Sequence, residues 1–137
     1  MAKQIFVNLP VKDLKKSIEF FTKLGYTFNP QFTDENATCM IVGENIFVML
    51  LVEPFFKSFT KREIADTSKS NEAIICLSAD SKEEVDDMVK KALEAGGTAP
   101  GEIQDYGWMY NHGFTDLDGH CWEYSYIDMS AMPGSNQ

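Results

Sequence analysis

Residues 4–26 read QIFVNLPVKDLKKSIEFFTKLGY, and the change of hydrophobic period inside this stretch decides the fold class. Gln4 to Leu9 is short, rich in Ile, Phe and Val, and weakly alternating, which is the pattern of a strand that Pro10 ends. From Asp13 to Leu24 the apolar residues Leu14, Ile18, Phe21 and Leu24 recur every three or four positions, so this segment predicts a helix with one buried face. Asp13 can accept from the free N–H groups of the first turn, and Gly25 stops the last turn because it tolerates positive φ.

Downstream of this strand and helix the apolar runs are strand-like, near Thr27–Thr33, Ala37–Val42 and Asn45–Glu53, with Asp34-Glu35-Asn36 and Gly43-Glu44 as turns. The order then repeats. Glu72 to Ala79 holds the buried-strand run Ala73-Ile74-Ile75-Cys76-Leu77. Ser81 and Glu84 have the spacing of a capping box, and Val85, Met88, Val89, Ala92 and Leu93 form a second helical stripe, stopped by Gly96-Gly97. Further strands are predicted near Thr98–Gln104, Trp108–Thr115 and His120–Tyr126, the last two joined by the tight turn Asp116-Leu117-Asp118-Gly119. The reading is an α+β chain of two βαβββ modules, residues 1–54 and 71–128. A linker over 55–70 carries a short helix near Lys61–Ala65, and a frayed tail spans 129–137.

The 137 residues suffice to bury a core without disulfides or a structural metal. Twenty-one acids against twelve bases give a net charge of −9, a field that repels phosphate backbones and anionic lipid. Arg62 is the only arginine, so paired-donor recognition of phosphate is poorly supplied. Neither nucleic acid nor membrane is expected as a partner. The longest apolar run, Ile46 to Val52, falls far short of the roughly 20 residues of a membrane span. The opening residues carry no apolar stretch of the secretion-signal kind, and a soluble cytoplasmic protein is expected. Cys39, Cys76 and Cys121 are scattered, with no Cys-x-x-Cys for zinc or redox work. No Gly-x-Ser-x-Gly occurs, and Gly96-Gly97 with Gly101 is no phosphate loop. His120 and Cys121 are strand neighbours that point to opposite faces, so they cannot act as a nucleophile and its base.

The opening Ile5–Leu14, with Ser17-Ile18-Glu19-Phe20-Phe21 and Leu24-Gly25-Tyr26, resembles the start of the vicinal oxygen chelate superfamily, which includes glyoxalase I, extradiol dioxygenases and the bleomycin and fosfomycin resistance proteins. The closing Phe114-Thr115-Asp116-Leu117-Asp118-Gly119-His120-Cys121-Trp122-Glu123 resembles that family's final hairpin, with Leu117 in place of the common proline. Asn8, Phe47–Leu51 and the Trp108–Phe114 run are similar to bacterial proteins labelled predicted lactoylglutathione lyases. The resemblance implies modules whose strands curl into a half-open mixed-sheet barrel around a shared pocket, and a homodimer. In metal-dependent members it implies four ligands, one on the first and one on the last strand of each module. Carried over, those positions fall on Asn8, on Met49 (or Leu51 if the register slips by two), on Ile74 and on Glu123. A borderline ion wants three or four N, O or S donors, and only Glu123 matches, so no metal and no cofactor are expected at the usual position. Without the ion, neither glyoxalase nor dioxygenase chemistry has its mechanism.

Strand alternation places Phe6 and Asn8, then Phe47, Met49 and Leu51, then Ile74, Cys76 and Ser78, and finally Cys121, Glu123 and Ser125 on the pocket side. Ile5, Val7 and Leu9 are expected under the helices. Trp108, Tyr110 and His112 are expected to line the mouth, and His120, beside a turn, to be solvated. The candidate ligand-binding set is therefore Phe6, Asn8, Met49, Ile74, Trp108, Tyr110, His112 and Glu123. A carboxylate among apolar residues needs a donor or a raised pKa, which singles out Glu123 as the candidate catalytic residue. The function expected is metal-free binding of a small, largely apolar or aromatic molecule, with a cationic group favoured by Glu123. Two alternatives stand beside it: a lyase or isomerase with Glu123 as general base, and a metal-dependent enzyme with relocated ligands such as His112 with Glu123.

Overall fold

In a computed structural model that describes residues 1–133, the chain divides into two compact units, Met1–Asp66 and Thr67–Gln137. The first contains β1 (Ile5–Val11), α1 (Leu14–Lys23), β2 (Thr27–Asn29), β3 (Ala37–Gly43), β4 (Ile46–Val52) and α2 (Glu53–Lys57). The second contains β5 (Ile74–Ser78), α3 (Lys82–Glu94), β6 (Gln104–Asp105), β7 (Met109–Thr115) and β8 (Cys121–Ile127). Each unit is a four-stranded mixed sheet, in the orders β1-β4-β3-β2 and β5-β8-β7-β6, with a parallel pair at β1/β4 and at β5/β8. The α+β class and the βαβββ repeat are as read from the sequence.

The helices start where their caps put them. Asp13 Oδ1 accepts from Lys16 N–H at 3.1 Å, and Ser81 Oγ accepts from Glu84 N–H at 3.0 Å. In the first unit Leu9, Met40, Val48 and Leu50 share one face of the sheet, and Phe20 and Phe21 of α1 are equally buried. In the second, Phe114, Trp122 and Tyr124 share a face, and Val85, Val89 and Ala92 supply the buried side of α3.

Several local expectations change. The first strand runs through Pro10 to Val11, because β1 lies at the sheet edge, where a residue without an N–H need not break the ladder. β2 stops at Asn29, since Pro30 opens a 3-10 turn over Pro30–Phe32 whose cap is the Asn29 side chain. The linker's helix is Glu53–Lys57, not 61–65, because Pro54 in the first turn loses no intrahelical bond there. The strand expected over Thr98–Gln104 shrinks to Gln104–Asp105 plus a bridge from Thr98 to Thr115, as Pro100 and Gly101 interrupt it. Ile5, at the exposed start of β1, does not pack under a helix. Of the expected tail, Met129–Ala131 form a 3-10 turn capped by Asp128, and residues 134–137 lie outside the described residues.

The β7–β8 hairpin is organised by Asp116, which is only 6% exposed. Its Oδ1 accepts from Asp118 N–H at 2.9 Å and His120 N–H at 3.0 Å, and its Oδ2 accepts from the Trp122 indole N–H at 2.9 Å. Burial pushes the Asp116 carboxyl above its ordinary range, against the opposing pull of His120 and these N–H donors. His120 is not solvated: it is 3% exposed, with Nδ1 2.6 Å from Glu72 Oε1. Thr67 Oγ donates to the Asp118 carbonyl at 2.6 Å and Cys121 Sγ to Asn71 Oδ1 at 3.1 Å, so residues 67–72 are strapped along the hairpin. Gly119 turns at φ +81°, and a Cβ there would collide with the Thr67 hydroxyl.

Asp116→Ala strands three donors, two of them on buried residues, and should cost on the order of 2–4 kcal/mol in urea unfolding, with Asp116→Asn losing less. An Ala variant as stable as the wild type would mean that the hairpin does not depend on this carboxylate.

Candidate functional site

Register assigns the side chains to faces without reference to any ligand. In the first unit Phe6 pairs with Phe47 and Asn8 with Met49, on the face opposite the buried Leu9 and Leu50. The Phe6 and Phe47 rings stack at 5.0 Å and 17°. Phe6 and Asn8 are exposed, and Met49 is half-buried. In the second unit Cys76 and Gly113 flank Glu123 on neighbouring strands, Ile74 and Thr115 flank Cys121, and Ser78 and Asn111 flank Ser125. That face holds a cleft of about 190 Å³, lined by Ile74, Glu102, Gln104, Asn111, Thr115 and Glu123 among others.

Glu123 is half-buried, and among the described residues its carboxylate has no hydrogen-bond or ion-pair partner. Gly113 makes room for it. A Cβ at Gly113 would strike the Trp122 carbonyl oxygen and lie 3.1 Å from Glu123 Cγ. Asn111, although 7% exposed, reaches the cleft, and the Ser125 hydroxyl donates to its Oδ1 at 2.6 Å.

The expected mouth does not form as read. Tyr110 pairs with Tyr126 and His112 with Tyr124, which puts both on the helix-covered face, away from Glu123. The Tyr110 hydroxyl donates to Asp86 Oδ1 of α3 at 2.7 Å, and Lys82 Nζ lies 5.5 Å from the centre of its ring. Trp108 precedes β7, half-buried, with its carbonyl accepting from Asp128 N–H at 2.7 Å. Strict alternation holds along β7, with Tyr110 and His112 on the face opposite to the one expected. Counting outward from the Asp116–Gly119 turn sets Gly113 opposite Glu123, and so puts Asn111 on the cleft side. That count was the signal that could have found Asn111.

The row that holds Asn8 and Met49 in the first unit is matched in the second by Cys76 and Glu123, while Ile74 lies on the same face as Glu123, one row away beside Cys121. Neither the amide and thioether of the first unit nor the thiol and carboxylate of the second supplies the three or four donors that a borderline ion wants. Among the described residues no three His, Cys, Asp or Glu side chains stand together as a metal site. His112 and Glu123, on opposite faces, cannot share an ion. The donors present do not fit the metal of the metal-dependent families, and no chemical step is derived through one.

Residues 3–43 match a family model described as bleomycin resistance protein-like N-terminal. No curated protein matches the sequence. Among solved structures, the chain is similar to the hypothetical protein SA1046 from S. aureus, at 32% identity, over 93% of this chain and 95% of that one, with a TM-score of 0.78. It has the fold of a glyoxalase/bleomycin resistance protein/dioxygenase family enzyme from Burkholderia phytofirmans PsJN, at 15% identity, over 89% and 96% of the chains, with a TM-score of 0.76. It also has the fold of TnmS3, an antibiotic binding protein from Streptomyces sp. CB03234, at 16% identity, over 93% and 97%, with a TM-score of 0.65.

Two outcomes follow from the site geometry. Gly113→Ala should lose about 1–3 kcal/mol of stability in denaturant titration, because the added methyl meets a backbone carbonyl. A neutral result would mean that the strands can separate there. The hydrogen bond to Asp86, followed by burial and the charges of Asp86, Asp105 and Glu83, pushes Tyr110 up to about 12 from the ordinary 10. The folded state thus favours the neutral phenol, a contribution present below pH 10 and lost as pH rises through the folded value. In a phenolate absorbance titration, Asp86→Asn should bring one tyrosine back toward its ordinary pKa. An unchanged curve would refute the Tyr110–Asp86 bond.

Proposed function

Because the chain belongs to the vicinal oxygen chelate superfamily, we propose that it is a small-molecule binding protein of the bleomycin-resistance kind, working without a metal on a largely apolar or aromatic ligand. The observation that carries this reading is the half-buried Glu123 carboxylate, unpartnered among the described residues, in a cleft of about 190 Å³. Ile74 gives the cleft apolar surface, and Glu102 adds a second carboxylate at its rim. A concave site whose charged groups are both carboxylates, set beside apolar surface, suits a ligand with an apolar body and a positive or N–H-donating group. The likeness of fold to a protein named as antibiotic binding supports the small-molecule class. In the first unit, Phe6, Asn8 and Met49 share one face of the sheet and are proposed as a binding surface of that unit.

The test uses 3-phenylpropylammonium and the neutral 3-phenylpropanol as probes in calorimetric titration. Glu123→Gln should weaken the cation by about tenfold, equivalent to about 1.4 kcal/mol, and change the alcohol by less than about twofold. Equal affinity of wild type and variant for the cation would remove the proposal. The general-base reading differs in its outcome, since there Glu123→Gln abolishes turnover of a substrate that still binds.

A further inference from the structure

We infer that the cleft of the second unit recognises a primary carboxamide or lactam edge, with Asn111 as the residue that selects for the ligand's carbonyl. This rests on the reading of Glu123 as a ligand contact and extends it to the class of group bound.

Asn111 carries four hydrogen-bonding positions into a place where it is 7% exposed. Such a side chain is costly to bury unless both ends are satisfied. One end is: the Ser125 hydroxyl, itself buried, donates to Asn111 Oδ1 at 2.6 Å. This bond orients the amide and leaves its –NH2 as the end directed to the cleft that Asn111 lines. Among the described residues no enclosed side-chain N or O lacks a partner, so an Asn111 –NH2 without a protein acceptor is open to the cleft.

The partner group is Glu123. Asn111 stands opposite Ser125, and Gly113 opposite Glu123, so Asn111 and Glu123 are diagonal neighbours on one face. Such neighbours lie about 7–8 Å apart at Cα. No side chain separates them along β7, because the residue between on that face is Gly113. The cleft therefore shows an acceptor and a donor close together. A primary carboxamide or a lactam holds an N–H and a C=O on the same side and satisfies both at once. An amine can satisfy only Glu123, and a tertiary amide only Asn111. A carboxylate would face both Glu123 and Glu102.

The experiment titrates 3-phenylpropanamide, its N,N-dimethyl derivative and 3-phenylpropylammonium into wild type, Asn111→Asp and Glu123→Gln. Asn111→Asp keeps the side-chain shape and the bond from Ser125 but replaces the donor with an acceptor. Wild type should bind the carboxamide about tenfold more tightly than the dimethyl amide, and Asn111→Asp should erase that preference while binding the ammonium no more weakly. Asn111→Ser, checked by near-UV circular dichroism, should show the same loss and serves if the Asp variant fails to fold. No measurable binding of the carboxamide to wild type, or an equal loss for all three probes, overturns the inference. If instead Glu123→Gln leaves the ammonium unaffected, it is the reading of Glu123 that fails.

Discussion

The Asp116 carboxylate has three N–H donors and almost no contact with water, and the second sheet takes its register around it. Two of the donors are backbone groups of the turn, and the third is the indole of Trp122, the largest fully buried side chain. Fixing Trp122 on the helix side fixes its neighbours Cys121 and Glu123 on the other, because adjacent strand residues alternate. The same count sets Gly113 beside Glu123 and Asn111 beside Ser125. The chemistry of the cleft is thus decided at a turn that does not line it. Residues 67–72 reinforce the arrangement through Glu72, Asn71 and Thr67, each bonded to the hairpin.

The parts of the fold legible in the sequence are those set by local rules. The caps Asp13 and Ser81 and the glycines that follow mark α1 and α3. The Asp116–Gly119 turn marked the final hairpin. Glu123, Cys121 and Ser125 were assigned to one face correctly, since a single strand carries its own parity. The misplaced residues depend on pairing between strands. Tyr110 and His112 share a spacing with one another, but only their pairing with β8 says which face they occupy. Ile74 keeps the face of Glu123, but only the pairing shows that its row partner is Cys121, two residues before Glu123. The burial of His120 was hidden because its partner Glu72 lies forty-eight positions away.

The charge balance is also better understood with residues attached. An excess of acids is usually a property of the solvated surface. Here several acids have structural partners: Asp13 caps α1, Asp86 receives Tyr110, Asp87 pairs with Lys91 at 3.1 Å, Glu72 meets His120, and Asp116 holds the hairpin. Glu123 stands apart from them in sitting half-buried beside a cleft with its carboxylate open.

Pro10 has a consequence for association. β1 is an outer strand of its sheet, and outer strands offer a row of unpaired groups on which a foreign strand can assemble. A proline near the end of that row has no N–H to contribute, so an incoming strand could not form an uninterrupted ladder along β1. An apolar strand that carries Ile5, Phe6, Val7 and Leu9 is thereby made a poor template for runaway sheet growth.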